Sequence, residues 1–372
     1  MVQSVCSAPA AGVGASPAET PQTAQRYLAL DAYRGFIMIV LCSGGFGFRA
    51  LAKTPGFEWI AAQFDHVPWE GGVFWDMIQP AFMFMVGMAM PFAMARRVEL
   101  GAGFGELFRH TGVRALKLIL LSQVLICIAG NKLTFQLINV LCQIAFTYFL
   151  CFLIMRWKFR WQVVAAGLLL ALHWALFVLF PGPDGPFSKT DNIGSVIDRA
   201  VIGYIYSGFY VTINFLSSTV TTLFGVWAGE LVRTPRSLKE KLWRLIAMAA
   251  ASSLLAMILG LFIPNVKRIW TPTFTFYSMV WVLLMLAGFF YVIEILGYRR
   301  WAFPLVVVGM NSIFIYSLNQ VLTGWINRSL AVFTGRFEFI GTLAPVAQAT
   351  SVMLVMWYLC YWFYKRKIFF KL

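Results

Sequence analysis

Apolar residues in this chain gather into runs of roughly twenty, the length a helix needs to cross a hydrocarbon core, and polar residues gather into short loops between them. On this pattern the spans fall at residues 30–48, 73–95, 113–129, 137–155, 161–180, 211–232, 245–263, 274–296, 305–325 and 343–364. The pattern predicts an all-α, polytopic integral membrane protein with about ten transmembrane helices. Residues 104–117 are amphipathic and predict an interfacial helix ahead of the third span. Residues 1–24 are rich in Ala, Pro, Ser, Thr and Gly, with no basic start and no long apolar stretch, and predict a disordered N-terminal tail. No internal repeat of the kind that builds secondary transporters stands out.

Composition agrees with lipid as the solvent. Hydrophobic residues make up 60% of the chain and charged residues only 12%, too few polar groups to cover a water-exposed surface. The net charge of +15 would point to nucleic acid in a soluble protein. Here the basic residues lie in alternate short loops, around 96–117, 156–160, 233–244 and 299–300, and in the tail at 365–371. That is the positive-inside pattern. It argues against a nucleic-acid partner, places both termini in the cytoplasm and suits a multi-pass protein of the bacterial inner membrane. Loops 49–72 and 181–210 would then face the outer compartment. The six cysteines show no CxxC or other ligand spacing, which predicts neither a disulfide framework nor a metal site.

Ionisable groups inside spans are costly and therefore informative. Asp31 and Arg34, in LALDAYRG, share a helix face at i, i+3 and can pair, or Arg34 can face an anion. Asp76 opens the second span in FWDMIQP, where a carboxylate belongs in a wet cavity rather than in lipid. Glu230 and Glu294 end spans beside arginines and read as interface pairs. His173, on an apolar helix, reads as a packing residue, and His110 as a group at the membrane surface. His66 differs: FDHVPWEGG places it in an outer loop beside Asp65, ahead of Asp76, among aromatic residues. Imidazole beside a carboxylate is the usual arrangement for a general base near neutral pH.

Five segments occur in an order that resembles the heparan-α-glucosaminide N-acetyltransferase family, which includes a lysosomal enzyme and bacterial membrane relatives. They are RYLALDAYRGFIMI, FDHVPWEGGVFWDMIQPAFMFMVGMAM, TVTTLFGVWAGELV, IPNVKRIWTPTFTFYS and FPLVVVGMNSIFIY. The resemblance implies that residues 25–372 form a single transmembrane acyltransferase domain. It implies acetyl transfer from cytosolic acetyl-CoA to the amino group of a glucosamine-type sugar or glycan on the outer side, with no metal. It makes His66 catalytic, with Asp76 as its partner. Asp31, Arg34, Gln143, Asn311 and Ser312 would bind acetyl-CoA or line the reaction chamber, and Asp65, Trp69, Lys267 and Trp270 would meet the acceptor. Members often carry an Asn near the outer end of the first span; this chain reads VLCSGGFGF there, with Ser43 as the candidate substitute. A homodimer is compatible with the resemblance. Two other readings stay open: an O-acyltransferase acting on a glycan or lipid hydroxyl, and a small-molecule transporter.

Overall fold

A computed structural model describes residues 27–370. The tail expected at 1–24, with Cys6, lies outside the described residues. The described chain is helical: α1 (Leu28–Cys42), α2 (Glu58–Gln63), α3 (Phe74–Glu99), α4 (Phe104–Gly130), α5 (Val140–Ile154), α6 (Phe159–Leu179), α7 (Ile193–Ile202), α8 (Phe215–Arg233), α9 (Leu238–Gly260), α10 (Pro272–Phe290), α11 (Phe303–Gly309), α12 (Ser312–Thr334) and α13 (Ala344–Lys365). Among the described residues β-type pairing amounts to two isolated antiparallel bridges, Glu70–Val266 and Gly182–Gly185. Helices satisfy their own backbone groups, so they are what a chain this apolar can form in lipid.

Eight helical segments are long and apolar enough to cross a membrane. The last of these, Ser312–Lys365, holds two helices, α12 and α13. Hydrogen bonds from Thr323 to Met356, Thr334 to Gln348 and Asn311 to Ile368 show that they form an antiparallel hairpin. The fourth expected span is a shorter apolar helix of 15 residues, α5.

Several expected boundaries need correction. No separate interfacial helix precedes the third span: 104–130 is one helix, since nothing in HTGVRALK breaks the ladder. The first span ends at Cys42, where Gly44, Gly45, Phe46 and Gly47 all have positive φ and turn the chain into a 3-10 segment. The ninth is broken at Asn311 (φ −124°, ψ 36°) and runs on to Thr334. Residues 204–210 form an irregular loop.

Close helix packing sets the frame. A Cβ on Gly225 of α8 would lie 2.0 Å from the Phe84 carbonyl oxygen of α3, and one on Gly87 of α3 would lie 2.0 Å from that of Thr222. Gly35 and Gly309 bring α1 and α11 together in the same way, through the carbonyls of Leu305 and Asp31. Small residues that admit backbone contact are how helices associate in lipid, where no hydrophobic force acts between them. Two ends result. One, the basic end, collects the connections at 100–103, 155–158, 234–237 and 296–302 and the chain after Lys365. The other, the histidine end, collects 43–73, 131–139, 180–214 and 261–271. Phe177, Val211, Ile213, Val266 and Ile269 form a small apolar cluster that anchors the 180–214 cap there.

Candidate functional site

Asp76 is the third residue of α3, and its Oδ2 accepts the Val73 amide at 3.3 Å, closing the first turn as a capping carboxylate does. Its other oxygen, Oδ1, serves two further groups. His66 Nδ1 lies 2.6 Å away and Lys267 Nζ 3.2 Å away, while the ammonium and Nδ1 are 3.5 Å apart. The Asp76 side chain is 1% exposed, that of Lys267 5% and that of His66 38%. A buried carboxylate is tolerable only with such partners. An Nδ1–H donated to Asp76 fixes the tautomer and leaves the Nε2 lone pair for a ligand.

Loop pairing brings these distant residues together. The Gly71 amide donates to the Asn265 carbonyl at 2.8 Å beside the Glu70–Val266 bridge, tying the His66 loop to the α9–α10 loop. Thr271 caps α10: its oxygen accepts the Phe274 and Val266 amides and donates to Pro264. Trp270 takes φ 53° just before the cap, so the chain between Lys267 and α10 is a tight turn. Asp65 steadies the other loop, with Oδ1 accepting the His66 amide at 2.7 Å and Oδ2 facing Arg49 Nε at 3.1 Å.

One helical turn along α3 from Asp76, Gln79 donates to the Gln143 side-chain oxygen. Gln143 donates in turn to Asn214 (3.1 Å) and Ser218 (2.9 Å). This amide network is buried among α3, α5 and α8. Beside it a cavity of about 390 Å³ extends towards the basic end. Arg34, Arg97, His110, Arg114, Tyr148, Ser312 and Phe370 are among its lining residues, together with Phe82, Leu141 and Ile144. From Phe82 to Arg97 is roughly 22 Å along α3, and from Phe82 on to Asp76 roughly 9 Å more.

The sequence-predicted residues divide into groups. His66, Asp76 and Lys267 converge. Gln143 sits in the amide network, and Arg34 and Ser312 line the cavity, with Asp31 3.8 Å from Arg34. Ser43 ends α1, donating to Val40 O and accepting the Phe46 amide. Asp65 and Trp69 brace loops; the Trp69 indole donates to Phe187 O at 3.0 Å. One expectation is corrected and one is narrowed. Trp270 has no exposed surface: it packs edge-on against Phe274 with Nε1 on Thr221, so no sugar can stack on it. Asn311 does not line a chamber with His66; it is buried at the basic end, where it holds the chain after α13. Glu230 and Glu294 do lie beside Arg233 and Arg299, and Glu294 also accepts the Ala29 amide at the start of α1. Asn214 and Ser218 lie outside the quoted motifs; Gln79 lies inside FWDMIQP and could have been found from its i+3 spacing to Asp76.

At the edge of the site the 180–214 cap holds two perturbed groups. Burial pushes the Asp198 carboxyl up, against the Thr212 amide that donates to it at 2.9 Å. Burial likewise raises the Tyr206 phenol to about 12, and its oxygen accepts the Leu137 amide at 2.9 Å.

Fold and site together define a polytopic helical membrane protein with a buried carboxylate–ammonium pair and a half-exposed imidazole at one end. No family model matches the chain. A curated relative, heparan-alpha-glucosaminide N-acetyltransferase of Mus musculus, is 22% identical over a 430-residue alignment that takes in 96% of this chain and 62% of the relative. The chain thus spans less than two thirds of that relative's length. The likeness runs along nearly the whole chain and agrees with the resemblance drawn from the motifs.

Proposed function

We propose that the protein is a ten-span transmembrane acetyltransferase of a bacterial inner membrane with its basic end in the cytoplasm. It takes acetyl from cytosolic acetyl-CoA and passes it to the amine of a glucosamine-type sugar on the opposite side. The observation that carries this reading is the cavity whose cationic end faces the basic side and whose far end stops about 9 Å short of Asp76 along α3. Arg34, Arg97 and Arg114 suit the phosphates, since guanidinium matches phosphate geometry. The apolar stretch of the cavity at Phe82, Leu141 and Ile144 suits a pantetheine arm. Gln79 and Gln143, neighbours in sequence of the cavity-lining Phe82 and Ile144, would receive the thioester.

His66 acts from the acceptor side. Its Nε2 removes a proton as the sugar amine attacks the acetyl carbon; the C–N bond forms, the C–S bond breaks, and the thiolate leaves to be protonated. In the stepwise form, Nε2 itself takes the acetyl and the amine removes it in a second displacement. In either form Asp76 holds the ring's orientation and balances the charge that develops on it. Lys267 keeps Asp76 paired between turnovers. The relative's printed name supports acetyl transfer, and the amine rather than hydroxyl acceptor follows that name.

The test is transfer of radiolabelled acetyl from acetyl-CoA to glucosamine by purified protein in detergent, beside His66→Ala. Labelled sugar from the wild type alone is the expected result. Label on alcohol acceptors but not on amines would replace the N-acetyl reading with an O-acyl one. No transfer by folded wild type to either class would sink the acetyltransferase reading.

A further inference from the structure

The chain after α13 does not trail away from the bundle. Lys367 takes φ 56° and turns it back, and Asn311 receives it. Asn311 Nδ2 donates to the Ile368 carbonyl at 3.1 Å and its Oδ1 accepts the Phe370 amide at 3.1 Å. One side-chain amide thus plays the part of a neighbouring strand, fixing both the position and the direction of residues 368–370. Asn311 stands at the break between α11 and α12, the position from which it would ordinarily cap α12, yet its side chain makes no capping bond. It has no exposed surface, so its polar atoms are committed to the tail.

The tail's last described residue, Phe370, is one of the cavity's lining residues. One face of the Phe370 ring is stacked on Phe314, with centroids 5.0 Å apart and planes 16° from parallel, and Phe363 meets it nearly at right angles at 5.2 Å. Phe370 nevertheless remains 46% exposed, so part of the ring is uncovered. It lines the same cavity as Arg34, Arg97 and Arg114. A flat aromatic face beside a group of guanidinium ions is what a nucleotide needs, with the ring for the base and the cations for the phosphates.

We propose that Phe370 is the face on which the cofactor's nucleotide base stacks, and that Asn311 is the positioning residue that holds it there. The C-terminal tail is then part of the cofactor site. The proposal rests on the acetyl-CoA reading and extends it to the residues that recognise the nucleotide.

Acetyl-pantetheine, which keeps the thioester and the arm but lacks the nucleotide, separates this role from a structural one. Phe370→Ala should raise KM for acetyl-CoA about tenfold, the value of one base–aromatic stack, with kcat little changed and KM for acetyl-pantetheine unchanged. Asn311→Ala should reproduce that split, and Phe370→Trp should restore the wild-type value. Equal KM for acetyl-CoA in wild type and Phe370→Ala overturns the proposal, as does an equal rise with both donors. If folded wild type neither transfers acetyl nor binds CoA, the acetyl-CoA reading falls and this proposal with it. Wild-type transfer with an unaffected Phe370→Ala removes this proposal alone.

Discussion

At the site, one oxygen of Asp76 carries both the His66 ring and the Lys267 ammonium, so the three residues are energetically one unit. Lys267→Met takes the ammonium from a buried carboxylate and leaves it only the His66 ring and the Val73 amide; losing one member of a buried pair costs about 3–5 kcal/mol. We expect this variant to lose both acetyl transfer and thermal stability in detergent. Adding Asp76→Asn should return much of the stability while leaving transfer abolished, a non-additivity that a double-mutant cycle reads directly. If the second change lowers the melting temperature further, the pair is not coupled as the geometry indicates. Asp76→Asn alone keeps the volume but loses the charge that orients Nδ1–H. Its kcat should fall by about 10²–10⁴, the usual value of general-base assistance, with KM for acetyl-CoA little changed, because the cavity proposed to hold the cofactor ends a turn and more away.

At the scale of elements, α3 carries the site and α8 holds α3. Gly225→Ala places a methyl 2.0 Å from a backbone carbonyl that cannot move independently of its helix. Overpacking of this kind costs about 1–3 kcal/mol or more, and a smaller yield of monodisperse protein on size exclusion is the expected outcome. The cap α7 offers a pH test. Burial raises the Asp198 carboxyl, so the folded state keeps a proton that the unfolded chain releases. That contribution is present at low pH and is lost as pH climbs from the ordinary carboxylate range of about 4 through the raised value. Asp198→Asn retains an acceptor for the Thr212 amide. The melting temperature of wild type minus that of the variant should therefore fall as pH rises across this window. A difference independent of pH would mean that Asp198 is not buried in the folded protein.

At the scale of the molecule, orientation follows from where the basic residues lie rather than from any one helix. Lys132 and Lys239 are exposed near opposite ends, and the described cysteines are buried or half-buried. In a Cys6→Ser background, Lys132→Cys should react with a membrane-impermeant maleimide on intact cells. Lys239→Cys should react only after permeabilisation. The reverse pattern would place His66 on the acetyl-CoA side and remove the need for a cavity through the bundle.

Apolar runs and the charges between them were enough to locate the helices, because lipid imposes one requirement on every span: its length and its lack of polar side chains. Motifs alone pointed to His66 and Asp76. What the linear chain could not reveal were relations across it. Asp76 and Lys267 are 191 residues apart and share an oxygen only because two loops pair at Gly71 and Asn265. Trp270 is expected to meet the acceptor, but α8 and α10 close over it. Asn311, expected to bind acetyl-CoA or line the reaction chamber, sits at the end opposite His66 because a break in one helix meets a tail folded back from another. Span formation depends on each segment's own transfer into lipid, which composition fixes. Partnership between polar groups depends on which segments pack together, and that is decided by backbone approach at positions such as Gly87 and Gly225, through contacts that no single stretch of sequence contains.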